Sequence, residues 1–136
     1  MTEIYNAENP LKTLSLGWGV QSWTLAAMAA LGEIPKPDYA VHADTTHEMA
    51  GTYAHAKKWT PWLEERGVKV RTVQPHRSAL LQLIPAFTLD AKGNAGVLRC
   101  QCTNEWKIKS IRRFIRTIIP KPTPGSVETT MGISMD

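Results

Sequence analysis

At 136 residues and 43% hydrophobic content, the chain has the size and composition of one globular domain with its own core. No stretch approaches the roughly 20 apolar residues of a membrane-spanning helix, and residues 1–10 are polar, unlike a signal peptide. We therefore expect a cytoplasmic protein without membrane contact, in which an untethered lead-in of residues 1–10 precedes a domain of residues 11–136.

The first half of the chain alternates between predicted strands and helices. Strands are predicted over residues 12–16, 39–43 and 68–73, and helices over residues 20–31 and from about 48 to 66. Pro61 falls inside the second helix, so we expect a kink or a restart near Thr60.

In the second half we predict a short helix over residues 76–84, a loop over 87–96 that reaches over the ligand edge, a helix over 104–119 and a fourth strand over 127–133. The helix over 104–119 has one apolar stripe, made of Ile108, Ile111, Ile115 and Ile118. Basic side chains occupy a neighbouring face at helical spacing: Lys109, Arg112, Arg113 and Arg116.

This alternation of strands and helices predicts an α/β fold. We expect a doubly wound parallel sheet of about four to five strands with helices on both faces. In such sheets a ligand binds beyond the carboxyl ends of the strands. Residues 17–22, 44–48 and 132–136 each follow a predicted strand, so the three segments are expected to converge on one edge.

The net charge of +4 is concentrated in one segment. Residues 99–121 contain seven basic side chains and a single acidic one, Glu105, so the remainder of the chain is weakly acidic. A local positive surface favours a localised anion, such as a nucleotide phosphate or a nucleic-acid strand. A solvated basic face without a ligand is the alternative.

The cysteines and histidines do not indicate a metal centre. Cys100 and Cys102 are the only cysteines; their spacing disfavours an unstrained disulfide, and no second pair could complete a zinc or iron–sulfur set. The histidines lack metal-ligand spacing: His42, His47, His55 and His76. We expect free thiols in a reducing compartment.

The most informative segment is Leu14-Ser15-Leu16-Gly17-Trp18-Gly19-Val20-Gln21-Ser22. Glycines permit a positive φ and a close approach to a ligand, and free N–H groups at a helix start suit phosphate. Ser22 stands where a dinucleotide fingerprint needs a third glycine, and no lysine lies between Lys12 and Lys36 to complete a Walker loop. An ordinary tight turn is the alternative to a nucleotide site.

Residues 17–22 resemble the pyrophosphatase loop (PP-loop) of the adenine nucleotide alpha-hydrolase superfamily, usually written S-G-G-x-D-S. Gly19 and Ser22 match that pattern, while Gly17 replaces its Ser, Trp18 its first Gly and Gln21 its Asp. The variant G-x-G-V-Q-S is similar to the branch near the phosphoadenylyl-sulfate reductases, often found in phage and bacterial genomes.

Three further blocks follow in the order of that family. Ala-Val-His-Ala-Asp-Thr at 40–45, with Glu48 after it, resembles the family's second strand and its Asp-Thr pair. The block at 99–109 resembles Cys-Thr-x-x-x-Lys before the basic helix, and Gly-Ile-Ser-Met-Asp at 132–136 resembles Gly-Ile-Ser-x-Asp. The resemblance covers residues 11–136.

The resemblance implies a Rossmann-like (HUP) fold that binds ATP and Mg²⁺, cleaves ATP between the α- and β-phosphates and transfers AMP to an acceptor. It implies nucleotide contacts from the loop and the later blocks: Ser15, Gly17, Trp18, Gly19, Val20, Gln21, Ser22, Asp44, Thr45 and Gly132. Arg99, Lys107 and Arg112 are the candidates for stabilising charge during the reaction.

Some of these residues have alternative roles. Asp44 could hold Mg²⁺ or a ribose hydroxyl, or could cap a helix, and Thr45 and Ser22 have the same capping alternative. Trp18 could stack on a base or shield the site, or could cover the loop at the surface. Because Gln21 replaces the Asp of the motif, one carboxylate that would help to carry the metal is missing.

Relatives continue with further helices, so we expect the C-terminal part of the family domain to be absent after Asp136. A partner or a second copy is then expected to cover that edge. A sulfonucleotide reductase is the second hypothesis, but its nucleophilic cysteine belongs on a C-terminal tail and no cysteine follows Cys102. A non-catalytic module that binds a nucleotide or nucleic acid is the third. The acceptor, a small molecule or a nucleic acid, is not specified by the sequence.

Overall fold

The computed structural model describes residues 4–46, 48–75, 87–97 and 107–133. The strands are β1 (Leu11–Ser15), β2 (Tyr39–Ala43), β3 (Val70–Val73), β4 (Phe87–Leu89), β5 (Ala95–Val97) and β6 (Val127–Thr130). The helices are α1 (Val20–Ala30), α2 (Ala50–Glu65) and α3 (Lys109–Ile118).

Four strands form an open parallel sheet in the order β3-β2-β1-β6. Leu11 of β1 pairs with Val127 of β6, and Thr13 of β1 pairs with Tyr39 of β2. The predicted α/β class and the four parallel strands are thereby confirmed. Because all four strands run the same way, their carboxyl ends lie at one edge of the sheet.

Alternate residues of the sheet contact different helices. Leu14 and Ala40 belong to the buried core that also contains Ala26 of α1 and Leu63 of α2. Tyr39, one residue before Ala40, instead contacts Phe114 of α3 with its ring centroid 5.4 Å away. Side chains of successive strand residues point to opposite sides, so α3 lies against the face away from α1 and α2.

An aromatic cluster joins α1 to α2 and to the turn before α1. The ring of Trp23 lies 5.8 Å from Trp18, 5.1 Å from His55 and 5.2 Å from Trp59. Trp62 completes the cluster, 5.9 Å from Trp23. Aromatic rings bury large areas, so this cluster fixes the position of the turn relative to both helices.

Residues 87–97 form an antiparallel hairpin of β4 and β5, and the predicted loop over 87–96 is therefore wrong. Asp90 accepts hydrogen bonds from the N–H groups of Lys92 and Asn94, and Gly93 has a φ of +82°. The side chain of Asn94 also donates to Asp90, and this hydrogen bond lowers the pKa of that carboxyl. Turn residues such as Asp, Gly and Asn are typical both of loops and of the tight turn that closes a hairpin.

Several predicted boundaries also differ. Helix α2 continues through Pro61 as one helix, so of the predicted kink or restart near Thr60 the restart is wrong and the kink stays a prediction. The Thr60 hydroxyl donates a hydrogen bond to the Ala56 carbonyl. Strand β6 ends at Thr130, three residues before the predicted end. The predicted helix over 76–84, both cysteines and residues 104–106 lie outside the described residues.

The described part of the lead-in, residues 4–10, is held in place, so for these residues the predicted untethered lead-in is wrong. The Asn6 side chain accepts hydrogen bonds from the N–H groups of Glu8 and Asn9. Ala7 lies close to Gly125, because a Cβ added at Gly125 would stand 3.3 Å from the Cβ of Ala7. Within the described part of the chain, no helix has the length and apolar character that crossing a bilayer requires.

Candidate functional site

The turn between β1 and α1 is shaped by Trp18. The positive φ expected of the glycines belongs to Trp18, at 63°, whereas Gly19 has an ordinary φ of −75°. A left-handed conformation costs a non-glycine residue about 1 kcal/mol or more. Burial of the indole offsets this cost, because Trp18 is only 7% exposed and contacts Trp23 and His55.

The alternative that Trp18 covers the loop at the surface is wrong, because the indole is buried. Its ring belongs to the aromatic cluster with Trp23 and His55. That it stacks on a base or shields the site stays a prediction.

The outer side of this turn is open, and its hydrogen-bond donors are free. A Cβ added at Gly17 or Gly19 would meet no atom within 4 Å. The first helical bond runs from the N–H of Trp23 to the carbonyl of Gly19. Among the described residues, the main-chain N–H groups of residues 17–22 donate no hydrogen bond. An array of this kind at a helix start attracts anions.

Gly132 brings the end of β6 against the first turn of α1. A Cβ at this position would stand 2.7 Å from Cβ of Gln21 and 2.8 Å from the main-chain N of Ser22. Only glycine permits this approach. Gly132, Met131 and the turn together border an open space of about 280 Å³, here named the loop cleft.

A second space, the apolar cleft, lies between α3 and the sheet. It has a volume of about 390 Å³. Its walls are mostly aliphatic: Val41, Ile108, Ile111, Ile115 and Met131. Lys107 and Arg112, both exposed, stand at its border. The cleft shares Ser15 and Met131 with the loop cleft, so the two spaces adjoin.

A third space, the polar cleft, has a volume of about 140 Å³. His42, Glu48 and Lys107 contribute its ionisable side chains. It shares Ser15 and Gly17 with the loop cleft, and Ser15 and Lys107 with the apolar cleft. Ser15, at the end of the central strand, therefore borders all three spaces.

The turn after β2 is held by its own side chains. Asp44 Oδ1 accepts hydrogen bonds from the N–H of Thr46 at 2.8 Å and from the Tyr53 hydroxyl at 2.7 Å. The hydrogen bond to Asp44 raises the pKa of Tyr53. Thr45, which is buried, donates to Glu48 Oε1 at 3.2 Å. The helix-capping alternative for Asp44 is wrong, because Met49 is the N-cap of α2.

The structure brings most of the predicted site residues to one edge. Those that border the three clefts are Ser15, Gly17, Gly19, Gln21, Ser22, Lys107, Arg112 and Gly132. Asp44 and Thr45 border none of the three, and the Val20 side chain is exposed. Arg99 lies outside the described residues.

Two residues at this edge were missed as site candidates: His42 and Glu48. His42 could have been found, because it is the only histidine within the apolar second strand and stands one residue before that strand ends. Glu48 was noted only for its place in the motif. In the described part of the chain, no three His, Cys, Asp or Glu side chains are grouped so as to hold a metal.

No protein-family model matches this chain, and no curated protein or solved structure is significantly similar to it. The three adjoining clefts are therefore the features of this chain that bear on its function.

Proposed function

We propose that the chain binds ATP at the carboxyl edge of its sheet, as a PP-loop protein with a doubly wound, Rossmann-like fold. The observation that carries this proposal is the set of free N–H groups at residues 17–22, next to an apolar cleft bordered by Lys107 and Arg112. A nucleotide has the complementary chemistry, since it joins a polyanion to a flat, largely apolar base.

In this proposal the phosphates occupy the loop cleft. The N–H groups of the turn and the positive end of the α1 dipole stabilise the negative charge. Gly17 and Gly19 leave the loop open to the phosphates, since neither has a side chain that would project into that space. The base occupies the apolar cleft between α3 and Val41.

Asp44 is the proposed carboxylate for Mg²⁺. This ion is commonly held by one or two carboxylates together with substrate phosphates and water. Asp44 suits that role with one oxygen, because Oδ1 is engaged while Oδ2 makes no hydrogen bond in the described part of the chain. When bound, the ion neutralises charge on the phosphates.

The proposed reaction is the cleavage of ATP between its α- and β-phosphates. An acceptor attacks the α-phosphorus, the bond from that phosphorus to the bridging oxygen breaks, and pyrophosphate leaves with the oxygen. Lys107 and Arg112, with Arg99, stabilise the charge that develops on the leaving group. The acceptor is a small molecule or a nucleic acid.

Calorimetric titration of the chain with ATP, AMP and phosphoadenosine phosphate tests binding. We expect ATP to bind, and Gly19→Val to weaken it at least tenfold while changing the free energy of unfolding by less than about 1 kcal/mol. Unchanged affinity in this variant would mean that the loop is an ordinary turn.

The basic helix offers a matched pair for the same titration. Lys107→Ala should weaken ATP binding and reduce its salt dependence, whereas Arg116→Ala, farther along α3, should have little effect. Pyrophosphate release separates an enzyme from a module that only binds. Thioredoxin-dependent sulfite release from a sulfonucleotide would instead identify a reductase.

A further inference from the structure

We propose that His42 and Glu48 recognise a hydroxyl group of the ligand in the polar cleft, and that this group is a ribose hydroxyl of the bound nucleotide. This inference rests on the proposed function and assigns a role to the one cleft that the phosphates and the base leave unused.

The tautomer of His42 follows from its hydrogen bond. Its Nδ1 lies 3.0 Å from the carbonyl oxygen of Leu16. A carbonyl only accepts, so Nδ1 carries the hydrogen and donates it. In the neutral imidazole Nε2 is then an acceptor with its lone pair free.

The accessibility of Nε2 follows from the burial of the side chain. His42 is only 4% exposed, and Nδ1 makes the one hydrogen bond found for its ring. Within the described residues, no side-chain nitrogen or oxygen is both fully buried and without a partner. Nε2 therefore reaches open space, and the space that His42 borders is the polar cleft.

The polar cleft combines two acceptors with one cation. Glu48 supplies a carboxylate whose Oε1 already accepts from Thr45, and its Oε2 makes no hydrogen bond within the described residues. Two acceptors that border one cleft suit the O–H groups of a sugar and disfavour a second phosphate, which the carboxylate of Glu48 would repel. Lys107 can donate to the oxygens of the same group.

The position of the cleft identifies the sugar as ribose. The polar cleft adjoins the loop cleft at Gly17 and the apolar cleft at Val41, and Ser15 belongs to all three. In a nucleotide, ribose is the hydroxylated unit that connects the phosphates to the base. A ligand with its phosphates in the loop cleft and its base in the apolar cleft therefore places its ribose near Ser15, where the polar cleft with His42 adjoins both spaces.

The test compares ATP with 2′-deoxy-ATP and 3′-deoxy-ATP by calorimetric titration of the unmodified chain. We expect at least one deoxy analogue to bind roughly fivefold more weakly or worse, as the loss of one buried hydrogen bond predicts. Equal affinity for ATP and both analogues overturns the inference without affecting the proposed function. Absence of ATP binding overturns both.

His42→Asn sharpens the test, because its amide can still donate to Leu16 while Nε2 is lost. We expect His42→Asn to bind the less tightly bound deoxy analogue with the same affinity as the unmodified chain does. Its affinity for ATP should fall to that of the analogue, so that the preference for ATP is lost. His55→Asn, in the aromatic cluster and away from the polar cleft, is the matched control and should keep the preference. A preference retained in His42→Asn would mean that His42 only supports the main chain of β1. If His42→Asn does not fold, the comparison of ATP with the two deoxy analogues on the unmodified chain still decides the inference.

Discussion

The two strand-to-helix turns at the carboxyl edge of the sheet satisfy their polar groups in opposite ways. After β2, the Asp44 carboxylate accepts from the chain itself, through Thr46 and Tyr53. After β1, the N–H groups of residues 17–22 have no acceptor among the described residues. The turn after β2 thus engages one carboxylate oxygen of Asp44 and one of Glu48 and leaves the second oxygen of each without a partner among the described residues, whereas the turn built from glycines and a buried indole engages none of its donors there.

This contrast explains why the open turn needs support from outside itself. The closed turn is stabilised by local hydrogen bonds between residues at most nine positions apart. The open turn depends instead on distant contacts, namely Trp18 in the aromatic cluster and Gly132 against Gln21. Breaking those contacts should affect both stability and binding, and the closed turn should be the more tolerant of the two.

Of the two glycine replacements that test this support, Gly132→Ala is expected to have the larger effect. Its new Cβ would stand 2.7 Å from Cβ of Gln21 and 2.8 Å from the main chain of Gln21 and Ser22, which cannot move without displacing the start of α1. We expect a loss of about 1–3 kcal/mol in the free energy of unfolding, measured by urea denaturation, together with weaker ATP binding.

Gly17→Ala is the matched control, because a Cβ at Gly17 meets open space. It should change the free energy of unfolding by less than about 0.5 kcal/mol. Equal destabilisation by the two alanines would show that the approach of β6 to α1 does not support the turn.

A smaller difference is expected between two replacements of Trp18. Both Trp18→Ala and Trp18→Gly remove the indole from the aromatic cluster, at about 3–5 kcal/mol. Elsewhere glycine destabilises relative to alanine, but at a φ of 63° it relieves strain. We therefore expect Trp18→Gly to be more stable than Trp18→Ala by about 1 kcal/mol in urea denaturation. The opposite order would rule out a left-handed conformation at this position.

The sheet could be predicted from the sequence because its signals are local. Apolar runs separated by glycines and prolines mark β1, β2 and β3, and the parallel arrangement follows from their alternation with helices. The positive φ of Trp18 could not be predicted, because it depends on the packing of the indole against α1 and α2. The β4–β5 hairpin could not be predicted because each of its strands has only three residues, too few for a recognisable alternation, and the segment between them is rich in turn residues.

The residues of the candidate site, like those of the sheet, could be predicted where their signals are local. Glycine spacing indicated the loop. The helical spacing of basic residues indicated Arg112, but of that set only Arg112 borders the apolar cleft. The roles of His42 and Asp44 depend on partners 26 and nine positions away, Leu16 and Tyr53, which no local pattern contains. Local signals therefore identify the segments at this edge, but not which of their polar groups remain free.

The smallest effect is expected from Tyr53→Phe in the closed turn. It removes the hydrogen bond to Asp44 but leaves the one from Thr46, and Tyr53 is 38% exposed, so the loss should stay below about 1 kcal/mol. ATP affinity should change little.

The hydrogen bond to Asp44 raises the pKa of Tyr53 above its ordinary 10.0. The contribution of this hydrogen bond to stability is therefore complete below that pH and is lost as the pH rises through the folded-state pKa. Urea denaturation at about pH 8 and about pH 11 should therefore show a steeper loss of stability for the unmodified chain than for Tyr53→Phe. Identical losses would mean that Tyr53 does not donate to Asp44 in solution, and that the turn after β2 is held by the hydrogen bonds of Thr45 and Thr46 alone.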